Sequence, residues 1–233
     1  MIARMPRQKA FHFGRSWAAM LLAGGLAFGL AACNEDKKAE AAPQKPVAAS
    51  GKTQSALLQP GPLGDKILGK DDAPVTIVEY ASLTCSHCAN FHANTFSALK
   101  EKYIDTGKVR LIFREFPLDP LSTAASMMAR CSTEQRYFPL VSVLFAQQRQ
   151  WAGSDKPLDE LLAIARQAGF TQESFEACLK DQKIYEGLND VKKRGAEVHG
   201  VNSTPTFFIN GEIRRGDMSI EEIDKVIELI LKK

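Results

Sequence analysis

Two thiols three positions apart stand out in the stretch TCSHCANFH, residues 84–92, which also carries two histidines. A c-type haem attachment site needs C-x-x-C-H, and Ala89 follows Cys88, so that kind of site is excluded. A structural zinc site needs four ligands, usually as two close pairs, and the chain has no second C-x-x-C. Cys85 and Cys88 are therefore either a redox dithiol or a pair of buried cysteines.

The residues around this dithiol predict a strand, a short turn and a helix. VTIVEYA, residues 75–81, is rich in β-branched side chains, as in a buried strand. NFHANTFSALKEKY, residues 90–103, has apolar side chains at helical spacing, and VRLIFREF, residues 109–116, predicts the next strand. In such a β-α-β unit Cys85 lies at a helix N-terminus, where free N–H groups and the helix dipole favour a thiolate.

The remainder of the globular part divides into helices and a final hairpin. From about residue 119 to about 199 the pattern is helical throughout, with Thr171 as a candidate helix cap. In GVNSTPTFFINGEIRRG, residues 200–216, the pair Asn210-Gly211 is a strong hairpin signal. Ser219 and Glu222 form a capping box for a last amphipathic helix. The prediction is an α/β fold in the order β-α-β, helical insert, β-β-α.

The N-terminus predicts export. Residues 1–32 contain four basic residues, no acidic residue and the apolar run WAAMLLAGGLAFGLAA, which is the layout of a signal peptide. The run ends in LAAC, which resembles the lipobox of bacterial lipoproteins and would make Cys33 a lipid attachment site. Ordinary secretion and an uncleaved anchor are the alternatives. All three place the rest of the chain outside the cytoplasm, where disulfides persist.

The composition indicates how the remaining segments are organised and which kinds of partner are expected. Residues 33–62 are rich in Ala, Lys, Pro and Ser with few bulky apolar groups, which predicts a flexible tether ahead of one domain at 63–233. The formal charge of +3 falls to −1 when the four basic residues of 1–32 are removed. No basic stripe interleaved with aromatic residues is present, so no nucleic-acid partner is expected.

A known family carries the same combination of motifs. VEYASLTCSHCANFH, a helical insert and GVNSTPTFFING together resemble the DsbA-like thiol-disulfide oxidoreductases of the thioredoxin superfamily, over residues 63–233. The resemblance implies a thioredoxin fold with an α-helical domain inserted after the β-α-β unit, at about 119–199. It implies an enzyme that exchanges disulfides and needs no cofactor and no metal.

The resemblance also assigns roles to individual positions. Cys85 matches the exposed nucleophile, Cys88 the buried resolving cysteine and Pro205 the cis-proline that faces them. Thr204, before that proline, is a position that varies and bears on the choice of partner, so Thr204 and Pro205 are the predicted substrate-binding residues. Ser86 departs from the Pro of the best-known members, which leaves the strength of oxidation open.

Three side chains near the dithiol have a chemical interpretation of their own. His87, when protonated, lowers the pKa of Cys85; a solvated turn residue is the alternative. Glu79, a carboxylate in an otherwise apolar strand, could take or give the Cys88 proton, as the matching acid of the superfamily does; a strand residue facing water is the alternative. His92 is expected to be a surface residue or a helix residue with its hydrogen bonds satisfied.

Two further cysteines lie in the helical insert. After Cys33 and the dithiol are assigned, Cys131 and Cys178 remain, and an even remainder in an oxidising compartment favours a structural disulfide. Some DsbA-like proteins carry a second disulfide there. Two unpaired core cysteines are the alternative.

The sequence thus predicts a periplasmic enzyme, held to a bacterial membrane by its lipid alone, that introduces disulfides into folding proteins. Its expected partners are secreted proteins with free thiols and, from the resemblance, a membrane protein that reoxidises the dithiol. A disulfide reductase or isomerase is the alternative, and a periplasmic metal-handling thiol protein is a less favoured one because no His- or Met-rich tract is present.

Overall fold

A five-stranded sheet organises the chain. The computed structural model describes residues 55–232. The strands are β1 (Lys66–Leu68), β2 (Val75–Ala81), β3 (Val109–Glu115), β4 (Thr206–Ile209) and β5 (Glu212–Arg215). Their order across the sheet is β1-β3-β2-β4-β5. β2 and β3 are parallel, and the other neighbouring pairs are antiparallel.

β2 lies at the centre of the sheet and is covered on both faces. All seven of its residues are buried, which explains why its sequence is a continuous apolar run. Successive side chains point to opposite faces, so Val78 and Tyr80 pack on one side and Ile77 and Ala81 on the other. Glu79 shares the second face with Ile77 and Ala81.

The helices cover the sheet and form the insert. They are α1 (Ser86–Asn94), α2 (Phe96–Leu99), a π-helical turn (Lys100–Ile104), α3 (Pro120–Arg130), α4 (Glu134–Ala146), α5 (Gln148–Ala152), α6 (Pro157–Gln167), α7 (Gln172–Leu179), α8 (Gln182–His199) and α9 (Ile220–Leu231). α3 to α8 lie between β3 and β4, so the predicted α/β fold with a helical insertion is confirmed. No helix within residues 55–232 has the length and apolar character required to cross a membrane.

Local signals define several boundaries. Asn210 and Gly211 have φ of 45° and 89°, as a two-residue hairpin turn requires, and they join β4 to β5. Ser219 and Glu222 form the predicted capping box of α9. Thr171 caps α7 through the backbone N–H of Ser174.

Two elements differ from the sequence-based prediction. β1 is only three residues long and too short for a periodic pattern, so it was not predicted. The helix expected over residues 90–103 is interrupted at Thr95, whose ψ and φ leave the helical region. The Thr95 hydroxyl donates to the backbone oxygen of Met218 at 2.9 Å, which fixes the break against the segment before α9.

The packed domain begins before residue 63. Leu57, inside the predicted tether, is 3% exposed. Buried Arg114 donates to the backbone oxygens of Leu57 and Gln59 and makes two hydrogen bonds to Asp65. The segment is held because Arg114, itself on β3, needs partners for its buried guanidinium. The predicted signal peptide, Cys33 and tether residues 33–54 lie outside the described residues.

A disulfide joins two helices of the insert. Cys131, at the end of α3, is bonded to Cys178 on α7, and the two are 47 residues apart in the sequence. Leu188 of α8 and Met127 of α3 pack around it. The bond therefore crosslinks α3 and α7, and α8 packs against them through a small apolar cluster.

Replacing both cysteines, as Cys131→Ala with Cys178→Ala, should lower the free energy of unfolding by about 2–4 kcal/mol, because the unfolded chain loses a constraint on a long loop. Urea denaturation monitored by circular dichroism measures this. Exchange at Cys85 should persist in the double variant. An unchanged unfolding midpoint, or four reactive thiols among the described cysteines of the native reduced protein, would contradict the assignment.

Candidate redox centre

The turn after β2 places the two thiols. Cys85 is the N-cap of α1, with extended backbone angles (φ −79°, ψ 121°), and Cys88 lies in the first turn of that helix. The Cys85 N–H donates to the Ser82 backbone oxygen at 3.1 Å, and the Cys85 carbonyl accepts from the Ala89 N–H at 3.1 Å. Cys85 is partly exposed and Cys88 is buried, and neither is in a disulfide.

The helical insert holds this turn in place. Asp119, the N-cap of α3, accepts from the Ser122 N–H through one oxygen and from the Thr84 hydroxyl through the other. The Gln148 side-chain amide, at the start of α5, donates to the backbone oxygens of Leu83 and Cys85 at 2.8 and 2.9 Å. The position of Cys85 thus depends on residues far away in the sequence, which local patterns could not identify.

The two thiols have different pKa values because their environments differ. The pKa of Cys85 is lowered to about 5, chiefly by a hydrogen bond with the Cys88 side chain. The Thr204 side chain and the backbone N–H groups of Cys88 and His87 lower it further, against the effect of burial. Burial raises the pKa of Cys88 far above its ordinary value, and the negative charges of Cys85 and Glu79 raise it further. The reduced centre is therefore a reactive thiolate beside a protonated thiol.

Thr204 and Pro205 face the dithiol. The Thr204–Pro205 peptide bond is cis, and the Cys85 Sγ lies 3.1 Å from the Thr204 backbone oxygen. A protonated Cys85 can donate to that oxygen. The two residues predicted to bind substrate thus adjoin the nucleophile, and their role in binding stays a prediction.

His87 is turned toward the segment between β5 and α9. Its side chain is 69% exposed, and its Nδ1 lies 3.1 Å from Asp217 Oδ1. The Asn90 side-chain amide donates to the other Asp217 oxygen. This contact pairs His87 with Asp217, a residue that sequence reasoning did not identify. The effect of the His87 charge on Cys85 stays a prediction.

Glu79 and His92 form a buried pair. Glu79 is fully buried, so it does not face water. The His92 Nε2 lies 3.1 Å from Glu79 Oε1, and the His92 side chain is only 5% exposed. His92 is thus not a surface residue; one of its ring nitrogens contacts the candidate acid–base residue. Its position four residues after Cys88 on a helix was the available signal.

Residues of the described part provide no group of three or more His, Cys, Asp or Glu side chains that could hold a metal ion. The predicted lipid attachment residue, Cys33, lies outside that part. Cys131 and Cys178 are bonded to each other within the insert and do not reach the dithiol.

A dithiol at the N-terminus of a helix that follows a central strand, opposite a cis-proline, defines a thioredoxin-fold thiol-disulfide protein. A family model described as thioredoxin matches residues 63–229. The crystal structure of Wolbachia pipientis alpha-DsbA1 is similar with 35% identity and a TM-score of 0.72, over 77% of this chain and 96% of that one. The chain belongs to the DsbA-like proteins of the thioredoxin superfamily.

Two further proteins are similar to this chain, one in sequence and the other in fold. A Rickettsia bellii protein named "Putative protein-disulfide oxidoreductase" is 35% identical over 170 residues, 72% of this chain and 65% of that protein. The chain thus spans less than two thirds of that relative. Bacillus subtilis BdbD in its oxidised form has a TM-score of 0.64 at 23% identity, over 75% of this chain and 97% of that one, a likeness in fold.

Titration of the reduced protein should show Cys85 ionising near pH 5 rather than near the ordinary thiol value of 9.0. Because the folded pKa is depressed, the thiolate stabilises the reduced form fully above pH 9 and loses this effect as the pH falls through about 5. Absorbance of the thiolate at 240 nm measures the transition, with Cys85→Ser as the control that lacks it. A midpoint near pH 9 would contradict the assigned environment.

Proposed function

We propose that this protein is an extracytoplasmic thiol-disulfide oxidoreductase that introduces disulfides into folding proteins through Cys85 and Cys88. The observation that carries the proposal is the contrast between the two thiols, one acidic and accessible, the other buried and protonated. Stabilising the Cys85 thiolate stabilises the reduced form of the enzyme, which makes its disulfide a better oxidant. One unit in this pKa corresponds to about 30 mV for a two-electron couple.

The exchange proceeds in two thiolate attacks. A substrate thiolate attacks Cys85 Sγ of the oxidised enzyme, the Cys85–Cys88 bond breaks, and Cys88 leaves with the electron pair and takes up a proton. A second substrate thiolate then attacks the substrate sulfur of the mixed disulfide. The substrate disulfide forms and Cys85 leaves as a thiolate, so two electrons pass from substrate to enzyme. Attack at Cys85 is favoured because Cys88 is buried.

The cis-proline turn supports the binding of an extended substrate. Thr204 O lies next to Cys85 Sγ, at the entrance to β4, so its peptide unit is suitably placed to pair with a segment that carries the substrate cysteine. A partner bound in this way would need no groove with fixed side-chain pockets. The proposed partners are accordingly folding proteins with free thiols.

The proposed location rests on the leader rather than on the folded domain. Residues 1–32 and the LAAC sequence support export and a lipid anchor at Cys33, with residues 34–54 as the tether to the domain. After each turnover the dithiol needs an oxidant, which we propose to be a membrane protein that accepts its electrons. A domain on a tether can reach both that partner and substrates near the membrane.

Equilibration of the dithiol with reduced and oxidised glutathione should show an oxidising poise, with the reduced enzyme populated even where oxidised glutathione is abundant. The fractions follow from alkylation of the free thiols at a series of glutathione ratios, with Cys88→Ala as a control that cannot form the disulfide. A reducing poise, like that of thioredoxin, would reverse the assigned direction and indicate a reductase or isomerase.

Replacing the buried acid, as Glu79→Gln, should slow disulfide exchange by at least about tenfold, because Cys88 loses the group that takes up and returns its proton. Reoxidation of the reduced variant by a disulfide reagent, monitored by stopped flow, measures the rate. The exposed variant Glu101→Gln on the π-helical turn is a matched control and should behave as the wild type. Unchanged kinetics in Glu79→Gln would remove Glu79 from the mechanism.

A further inference from the structure

The pair formed by Glu79 and His92 is unusual in being both polar and closed to solvent. The side chains are 0% and 5% exposed, and only one oxygen and one ring nitrogen are joined, at 3.1 Å. Burial of polar groups costs free energy unless they are hydrogen-bonded. A pair retained in the core beside a reactive dithiol therefore points to a role in the chemistry.

The ring of His92 is held in a fixed orientation by aromatic side chains. It stacks on Phe145 of α4 with centroids 4.2 Å apart and planes 20° apart. The ring of Phe96 lies 4.8 Å away, and Phe113 meets it edge-on at 6.1 Å. These contacts orient the ring with Nε2 toward Glu79, and in the tautomer with the proton on Nε2 it donates to Glu79 Oε1.

The same helix face carries His92 and Cys88. They are four residues apart on α1, so their side chains lie one turn apart on one face. β2 runs beneath this face with Glu79 pointing toward it, on the side shared by Ile77 and Ala81. The carboxylate is near enough to Cys88 for its charge to act on that thiol.

One oxygen of Glu79 remains free to accept a proton. Oε1 is occupied by His92, whereas Oε2 is buried and has no hydrogen-bond partner among residues 55–232. The other ring nitrogen of His92, Nδ1, likewise has none in the described structure. A carboxylate with one oxygen restrained and the other free is suited to receive a proton from a fixed direction.

We propose that His92 is a positioning residue for disulfide exchange, which restrains Glu79 by its Nε2–H so that the free carboxylate oxygen receives the Cys88 proton. The inference rests on the proposed function of Cys85, Cys88 and Glu79. When Cys85 is in a mixed disulfide with a partner, the Cys88 S–H bond breaks and its proton passes to Glu79 Oε2. The Cys88 sulfur attacks Cys85 Sγ, and the partner sulfur leaves as a thiolate with the electron pair.

A two-phase reaction isolates this step. Reduced protein, in a Cys33→Ser background, is mixed with excess 5,5′-dithiobis(2-nitrobenzoate), and release of the coloured thiolate is monitored by stopped flow. The first phase is attack by Cys85 on the reagent. The second is attack by Cys88 on the mixed disulfide, which releases a second equivalent.

His92→Phe preserves the aromatic stack and removes the donor. It should slow the second phase by about tenfold to a hundredfold, less than the full effect of an acid–base group because Glu79 is still present, and leave the first phase within about twofold of the wild type. His92→Gln, whose side-chain amide can donate in place of Nε2–H, should restore most of the second phase. His199→Phe, a matched change in a histidine packed against Tyr80 on the other face of the sheet, should alter neither phase.

The Glu79→Gln background tests the coupling directly. There, His92→Phe should have no further effect on the second phase, because the group that it positions is gone. Equal slowing of both phases, an unchanged second phase, or the same slowing by His92→Phe with and without Glu79 would overturn the proposal. His92→Leu serves as the donor-less variant if the Phe variant does not fold. A wild type that releases only one equivalent would instead refute the exchange mechanism itself.

Discussion

The chemistry of this site depends on a difference in environment between two thiols that lie three residues apart. The helix begins at Cys85, so that thiol lies at the surface beside free backbone N–H groups, while Cys88 points inward one turn later. A thiolate is stabilised at the first position and disfavoured at the second. In the proposed mechanism this asymmetry decides which sulfur is attacked and which must exchange a proton before it can react.

Much of the remaining architecture keeps that asymmetry in place. The insert holds the turn through Asp119 and Gln148, and the cis-proline turn brings the Thr204 carbonyl to Cys85 from the other side. Each contact comes from a different part of the fold: Asp119 from the start of α3, Gln148 from α5 and Thr204 from the turn before β4. The geometry of this short turn therefore depends on residues from several distant parts of the domain.

The core contains buried polar side chains, which differ in how fully their hydrogen bonds are satisfied. Arg114 is buried but reaches an acid, a tyrosine hydroxyl and two carbonyls, so its donors are satisfied and it ties the start of the domain to β3. Glu79 and His92 satisfy only half of their hydrogen-bonding capacity. A core that leaves polar atoms free beside a reactive group departs from what stability alone would favour, as is common at functional sites.

Local patterns determined the central strand, the helix that starts at the dithiol, the Asn210-Gly211 turn and the capping box at Ser219, because each depends on neighbours a few residues away. The order of these elements and the motifs around them also determined the fold class. The family resemblance predicted the cis bond before Pro205, and the structure has it. Only the tertiary structure decided that Asp119 and Gln148 hold the turn and that His92 contacts Glu79. These features arise from contacts between segments that are distant in the chain. The energies of such contacts depend on packing, which the spacing of residues within one segment does not predict.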